Sequence, residues 1–307
     1  MKLRETVASI LRTGVANLRA FAYSTPTRDV QAQVIPGPLP RIGVALGGGF
    51  ARGLAHIGVL KVLVENGIPI DAMAGVSTGS IIAAAFAAGA TPDEMAESAR
   101  RIRWSHFARW TIDRLGLATN WRMNQLLREL LRCSTFEELR KPLAVVASDI
   151  TTGEAVVFRQ GDLIPPLRAS CSFPGLFTPV AYQGRLLVDG AIVCSVPVAP
   201  LREFGMNVVI AVHLKNDGLP RAPNNLFQVI DKAFQIAGRR GEPAWRQDCD
   251  VLIQPDVRDF TWDDFKRSDE IIQAGERAAS AMLPAVRALL QTSRSPVPVV
   301  PQEAAAG

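Results

Sequence analysis

The sequence predicts an α/β fold built on a largely parallel sheet covered on both faces, and three observations carry that prediction. Apolar runs of strand length alternate with helical stretches from Arg41 to about residue 290. Glycine-rich turns join the first two apolar runs directly to the helices that follow them. Both ends of the chain break the pattern, which leaves one body at 41–290, an N-terminal extension at 1–40 and a tail at 291–307.

Within the body, residues 42–46 read as a buried strand, followed by a glycine turn and a helix over 53–65. Residues 70–75 form a second strand and 77–88 a second helix. Thr91 is a good N-cap and Pro92 fits the first helical position, so a third helix runs to about Arg103. Residues 121–132 read as helix, 143–149 and 155–159 as strands around a turn at 151–153. Strands follow at 185–188 and 207–212, and a closing helix at 268–290 contains Pro284. No internal repeat is present.

The ends and the charge exclude several classes. Lysine and arginine exceed aspartate and glutamate by 34 − 29 = +5 in 307 residues. Residues 1–40 hold Lys2, Arg4, Arg12, Arg19 and Arg28 against Glu5 and Asp29, a local +3, so the other 267 residues carry only +2. Aromatic residues make up 7%, too few for a base-stacking platform, and nucleic acid is not an expected partner. Leu3, Val7, Ile10, Leu11, Val15, Leu18 and Phe21 share one helical face, with most of the basic residues off it. Residues 3–21 are therefore a candidate for peripheral contact with an anionic membrane, the alternative being a helix packed on the body. Four prolines in 24–40 make a linker, and the proline-containing segment 293–307 reads as a flexible tail. The longest apolar run, 81–90, is too short to span a bilayer. No signal-peptide core follows Met1. Cys133, Cys171, Cys194 and Cys249 are dispersed, which fits free thiols in a reducing, cytoplasmic compartment. With only His56, His106 and His213 besides, neither a metal nor a cofactor is expected.

Gly75-Val76-Ser77-Thr78-Gly79 is a G-x-S-x-G between a strand and a helix, the context in which a serine is presented on a sharp turn. Gly75 and Gly79 remove side chains that would collide there, and the helix N-terminus favours developing negative charge at Ser77. Chance occurrence in an Ala/Gly-rich helix start is the competing reading. The other glycine turn, Gly47-Gly48-Gly49-Phe50-Ala51-Arg52-Gly53, is not a nucleotide loop. G-x-G-x-x-G fails because Arg52 stands sixth from Gly47 and Phe50 third from Gly48, and no G-K-[ST] follows. Its backbone N–H groups fit an oxyanion hole instead. Arg52 either holds a phosphate or ties the loop; both roles stay open. For a base, His56 reads as a packing histidine on the helix after the loop, and neither His106 nor His213 has a marked partner. Asp189, in Asp189-Gly190-Ala191 after a short strand, is the remaining acceptor, although a D-G pair alone is usually a turn.

Four blocks in order resemble the bacterial patatin-like phospholipases. They are the loop from Gly47 to Gly53 with its Leu54-Ala55-His56-Ile57-Gly58-Val59 continuation, the Gly75–Gly79 elbow, the stretch from Ala169 to Pro179, and Asp189-Gly190-Ala191. The resemblance implies a three-layer α/β/α fold and a Ser-Asp dyad, with Ser77 as nucleophile, Asp189 as its partner and Gly47, Gly48 and Gly49 as the oxyanion loop. It implies a lipid acyl-ester hydrolase releasing fatty acid through an acyl-enzyme, with no cofactor. A thioesterase or acyltransferase would use the same dyad, and a regulatory relative with little activity is a further alternative. The two ends and the stretch between Arg103 and Trp121 depart from the family pattern, which leaves substrate entry and location open.

Overall fold

A computed structural model describes residues 40–214, 222–223 and 226–292. The expected N-terminal helix at 3–21, the linker and the C-terminal tail lie outside the described residues.

In chain order the elements are β1 (Ile42–Leu46), α1 (Ala55–Glu65), β2 (Ala72–Val76), α2 (Thr78–Ala88), α3 (Pro92–Arg101) and α4 (Trp104–Phe107). Next come β3 (Arg109–Asp113), β4 (Gly116–Thr119), α5 (Met123–Leu131), β5 (Leu143–Asp149), β6 (Ala155–Phe158) and α6 (Ile164–Ser170). The rest are β7 (Gly175–Phe177), β8 (Val180–Tyr182), β9 (Arg185–Asp189), α7 (Ala199–Glu203), β10 (Val208–Val212), α8 (Leu226–Gln247), β11 (Val251–Ile253) and α9 (Ser268–Thr292). Every strand and helix expected within residues 41–290 is present. Boundaries shift by no more than about two residues, and the first helix opens as a 3-10 turn over Phe50–Leu54 before α1 begins. The α3 start follows its signals closely: Thr91 Oγ1 accepts from Glu94 N (3.2 Å), and Glu94 Oε2 accepts from Thr91 N (2.8 Å).

The main sheet has the order β11-β10-β1-β2-β5-β9-β8, with β6 also paired to β5. β11, β10, β1, β2 and β5 are parallel, β9 and β6 run antiparallel to β5, and β8, antiparallel to β9, returns to the direction of β5. The two faces of this sheet are packed differently. Ile42, Val44, Leu46, Met73, Val145, Ile210 and Val212 point to one side, into the larger core shared with α1, α2 and α9. Ala45, Ala72, Ala74, Ala144 and Ala211 point to the other, under Val198, Leu201, Met206 and Trp245. Side chains alternate along a strand, so one run of five residues supplies both layers. The result is the three-layer arrangement: bulky β-branched residues meet the long helices on one face, and alanines let α7 approach closely on the other.

A second, small sheet has the order β3-β4-β7. β3 and β4 form an antiparallel hairpin, and β4 pairs in parallel with β7.

Candidate active site

Parallel strands deliver the two glycine turns to one edge. Leu46 lies opposite Gly75, so the loop after β1 and the turn after β2 are neighbours. Val76 pairs with Val146, and Asp189 pairs with Ala147 one position on, which brings the end of β9 to the same place. Ser77 Oγ donates to Asp189 Oδ2 at 2.7 Å, and both residues are buried. Residues 112 apart in sequence thus meet as a hydrogen-bonded pair.

Ser77 has φ 53° and ψ −133°, a conformation that an L-residue holds only at a cost of about 1–3 kcal/mol. Several neighbours impose it. Ser77 N donates to Ser170 Oγ (2.8 Å), which donates in turn to Val146 O (2.6 Å), and Ser77 O accepts from Ser80 Oγ (2.6 Å). A side chain at Gly75 would lie 2.4 Å from Ser80 Cα, and one at Gly79 2.4 Å from Leu46 O, so the turn closes only with glycine on both sides.

Asp189 is fixed just as tightly. Its Oδ1 accepts from Ala191 N (2.9 Å), its backbone O accepts from Ser148 Oγ (2.9 Å) and its N donates to Ser172 O (2.9 Å). Asn120 Nδ2 donates to Ser172 Oγ (2.8 Å) and so braces the segment behind the aspartate. Burial pushes the Asp189 carboxyl up to about 7, against the hydrogen bonds from Ala191 N and Ser77 Oγ that favour its ionised form. An aspartate of ordinary acidity would be a feeble base; this one titrates near neutrality.

The glycine loop divides its labour in a way the sequence does not reveal. Gly47 N donates to Val212 O (3.0 Å), which extends the sheet ladder and removes that amide from the expected oxyanion set. Neither Gly48 N nor Gly49 N donates to a backbone carbonyl in the loops and turns of the described residues, so these N–H groups are the available donors. A Cβ at Gly48 would sit 3.2 Å from Ser77 Cβ and 3.3 Å from Ala191 Cβ. Glycine is what lets this backbone lie against Ser77. His56 is fully buried, and its Nε2 lies 2.8 Å from Gly47 O. Burial lowers its pKa to about 4, so the ring is neutral and Nε2–H donates to that carbonyl. His56 therefore positions the loop, as a packing histidine would.

Arg52 is buried, with Nε 3.4 Å from Gly49 O and Nη2 3.8 Å from Asp231 Oδ1. Of its two expected roles, tying the loop is the one its contacts display. Gly53 lies against Thr78, the first residue of α2: a Cβ there would be 2.6 Å from Thr78 Cγ2. Among the described residues no group of acidic, histidine or cysteine side chains could hold a metal.

Ser77 and Phe50 line two cavities at once. An apolar cavity of about 310 Å³ runs between α2, α3 and α5, lined by Leu54, Ile57, Ile82, Ala85, Phe107 and Phe177 among others. Exposed Arg101, His106 and Glu129 mark where it meets solvent. A polar cleft of about 130 Å³ lies on the other side, with Arg52, Asp189, Ser195, Asp231, Gln235 and Glu242 on its walls. Asp231, Gln235 and Glu242 come from α8, a helix absent from the sequence expectation, as are Ser170, Ser172 and Asn120 from the expected site. The helix leaves a 3.6-residue amphipathic period over 226–247 that could have found it. The serine and asparagine braces leave no local signal.

The patatin-like phospholipase family model matches residues 44–202. The chain belongs to that family. An uncharacterized NTE family protein of Mycobacterium tuberculosis is 36% identical over 178 residues, which cover 57% of this chain and 49% of the relative. Lysophospholipase NTE1 of Cryptococcus neoformans is 33% identical over 181 residues, covering 56% of this chain and 11% of that protein. The matched region spans about half the length of the mycobacterial relative and a small part of the fungal one. Among solved structures, VipD from Legionella pneumophila superimposes with a TM-score of 0.47 at 12% identity, covering 87% of this chain and 73% of VipD.

Proposed function

We propose that the chain hydrolyses carboxylic esters of lipids through the Ser77–Asp189 dyad. The observation that carries this reading is the 2.7 Å hydrogen bond from Ser77 Oγ to a buried carboxylate that titrates near 7. In the first step Oγ attacks the ester carbonyl carbon as its proton passes to Asp189 Oδ2. The carbonyl oxygen becomes an oxyanion facing the Gly48 and Gly49 N–H groups and the N-terminal end of α2. Collapse breaks the bond to the leaving alcohol, which takes the proton from Asp189. Water then attacks the acyl carbon and gives a proton to Asp189, and collapse breaks the bond to Ser77 Oγ, which takes that proton back from Asp189 as the fatty acid leaves.

The two cavities support a lipid as the substrate. The acyl chain lies in the apolar cavity, where each buried methylene contributes about 0.8 kcal/mol. The leaving group occupies the polar cleft, whose walls include a buried Gln235 Oε1 with no hydrogen-bond partner among the described residues. The printed name of the fungal relative, a lysophospholipase, points the same way. Residues 1–40 extend this domain in the proposed organisation, and residues 3–21 remain a candidate membrane contact. Fluorophosphonate labelling tests the dyad. Wild type should be modified at Ser77, and equal labelling of Ser77→Ala would overturn the assignment.

A further inference from the structure

Phe107 and Met123 both line the apolar cavity, and the chain between them leaves the body as the β3–β4 hairpin. The hairpin carries an unusual surface. Trp110 is 60% exposed, Leu115 60%, Leu117 43% and Trp121 63%. Arg103, Arg109, Arg114 and Arg122 are exposed around them, and none forms an ion pair among the described residues. Nearby Arg100 and Arg101, by contrast, have carboxylate partners in Glu97 and Asp269. Asp113 is the one carboxylate in 103–122, giving 4 − 1 = +3, and its Oδ1 accepts from Leu115 N (2.8 Å) at the turn. The platform is braced from behind: β4 pairs with β7, and Asn120 holds Ser172.

We propose that the β3–β4 hairpin docks on an anionic lipid bilayer and holds the opening of the apolar cavity against it. Exposed tryptophans favour the boundary between head groups and acyl chains, leucines add buried apolar area, and unpaired arginines meet anionic head groups. The sign of the charge selects this occupant. A second copy would present the same +3 face, and residues 1–40 also carry +3, so both would be repelled where an anionic bilayer is attracted. Docking goes beyond the hydrolase reading and needs no chemistry at Ser77.

Flotation of the full chain carrying Ser77→Ala with vesicles tests it, using phosphatidylcholine alone or mixed with phosphatidylglycerol. The chain should prefer the anionic vesicles, and added salt should weaken that preference. Trp110→Ala with Trp121→Ala should lower partitioning on both vesicles by about tenfold or more. Arg109→Gln with Arg114→Gln should lower it about fivefold per arginine on anionic vesicles and leave neutral ones alone. Thermal midpoints should stay at the parent value, since all four side chains are exposed. No binding by the parent chain overturns the proposal, as does unchanged binding in both variants, which would put any membrane contact elsewhere. It is also overturned if the tryptophan variant alters only self-association by sedimentation, which would assign the face to a second copy. A chain that docks this way yet hydrolyses no ester with Ser77 intact would overturn the proposed activity and leave the surface standing.

Discussion

The apolar cavity and the polar cleft share Ser77 and Phe50 but are built by different rules. The cavity is walled by α2, α3 and α5, elements set by hydrophobic periodicity, and its lining is packed side chains whose individual identity matters little. The cleft depends on particular atoms: the Gly48 and Gly49 amides, Asp189, and the Asp231–Gln235 face of α8, where Gln235 Nε2 donates to Asp231 Oδ2 (2.8 Å). The proposed mechanism therefore assigns the carbonyl chemistry to the exacting side and chain accommodation to the tolerant side. Substitutions on the two sides should therefore differ in both size and kind.

The largest effect lies at the shared wall. Ser77→Ala should reduce ester hydrolysis by a factor on the order of 10⁴ or more, with folding intact, measured by turnover of a chromogenic ester beside a melting curve. Gly48→Ala comes next. Its methyl group would press on Ser77 Cβ and crowd the oxyanion, so kcat should fall about 10²–10³-fold with a smaller change in KM. A loss confined to KM would mean that this loop binds ground state and transition state alike.

Asp189 gives an effect readable in pH. Only the ionised carboxylate accepts the Ser77 proton, so kcat/KM should fall about tenfold per unit as pH drops below about 7. Stability should move the other way. The folded-state pKa is raised from 3.8 to about 7, so between those values the folded chain holds a proton that the unfolded chain has released. Folding is thus penalised progressively as pH rises through that window. Asp189→Asn cannot ionise and should melt higher than wild type at pH 8, by about 1–3 kcal/mol, with the advantage fading toward pH 4. A variant less stable at pH 8 would indicate that the lost acceptor at Ala191 N and Ser77 Oγ outweighs desolvation. The smallest change tests the tolerant side. Ala85→Leu narrows the cavity and should disfavour long-chain esters relative to short ones by about 4–10-fold, with short-ester kcat unchanged within twofold.

These two sides also differ in how far they were legible in the sequence. Strands and helices around the cavity announce themselves by apolar periodicity, and Thr91, Pro92 and Glu94 mark the start of α3 almost residue by residue. Ser77 is legible because strand, glycines and helix occur together. Asp189 is not legible from its neighbours, since a D-G turn is common, and only its place among four ordered blocks brings it forward. Gly47 looks identical to Gly48 and Gly49 in sequence, yet its amide closes on the carbonyl of Val212, the residue opposite Leu46, and so adds one more ladder bond past the end of β1. Ser170, Ser172 and Asn120 act through contacts 17 to 93 residues away, and no local pattern encodes such bonds. The β3–β4 hairpin is a short ribbon held by β7, which the sequence places far downstream.

The backbone of Ser77 and the buried carboxylate of Asp189 each oppose the folded state that displays them. Relaxing the φ of 53° by a change to glycine, or removing the charge with asparagine, should favour folding while removing the chemistry of the proposed dyad. On that reading, a selection for heat resistance or expression alone should enrich variants at these two positions that lack the proposed activity. Any directed-evolution campaign on this scaffold needs an activity gate in every round, and thermostable isolates should be sequenced at 77 and 189 first.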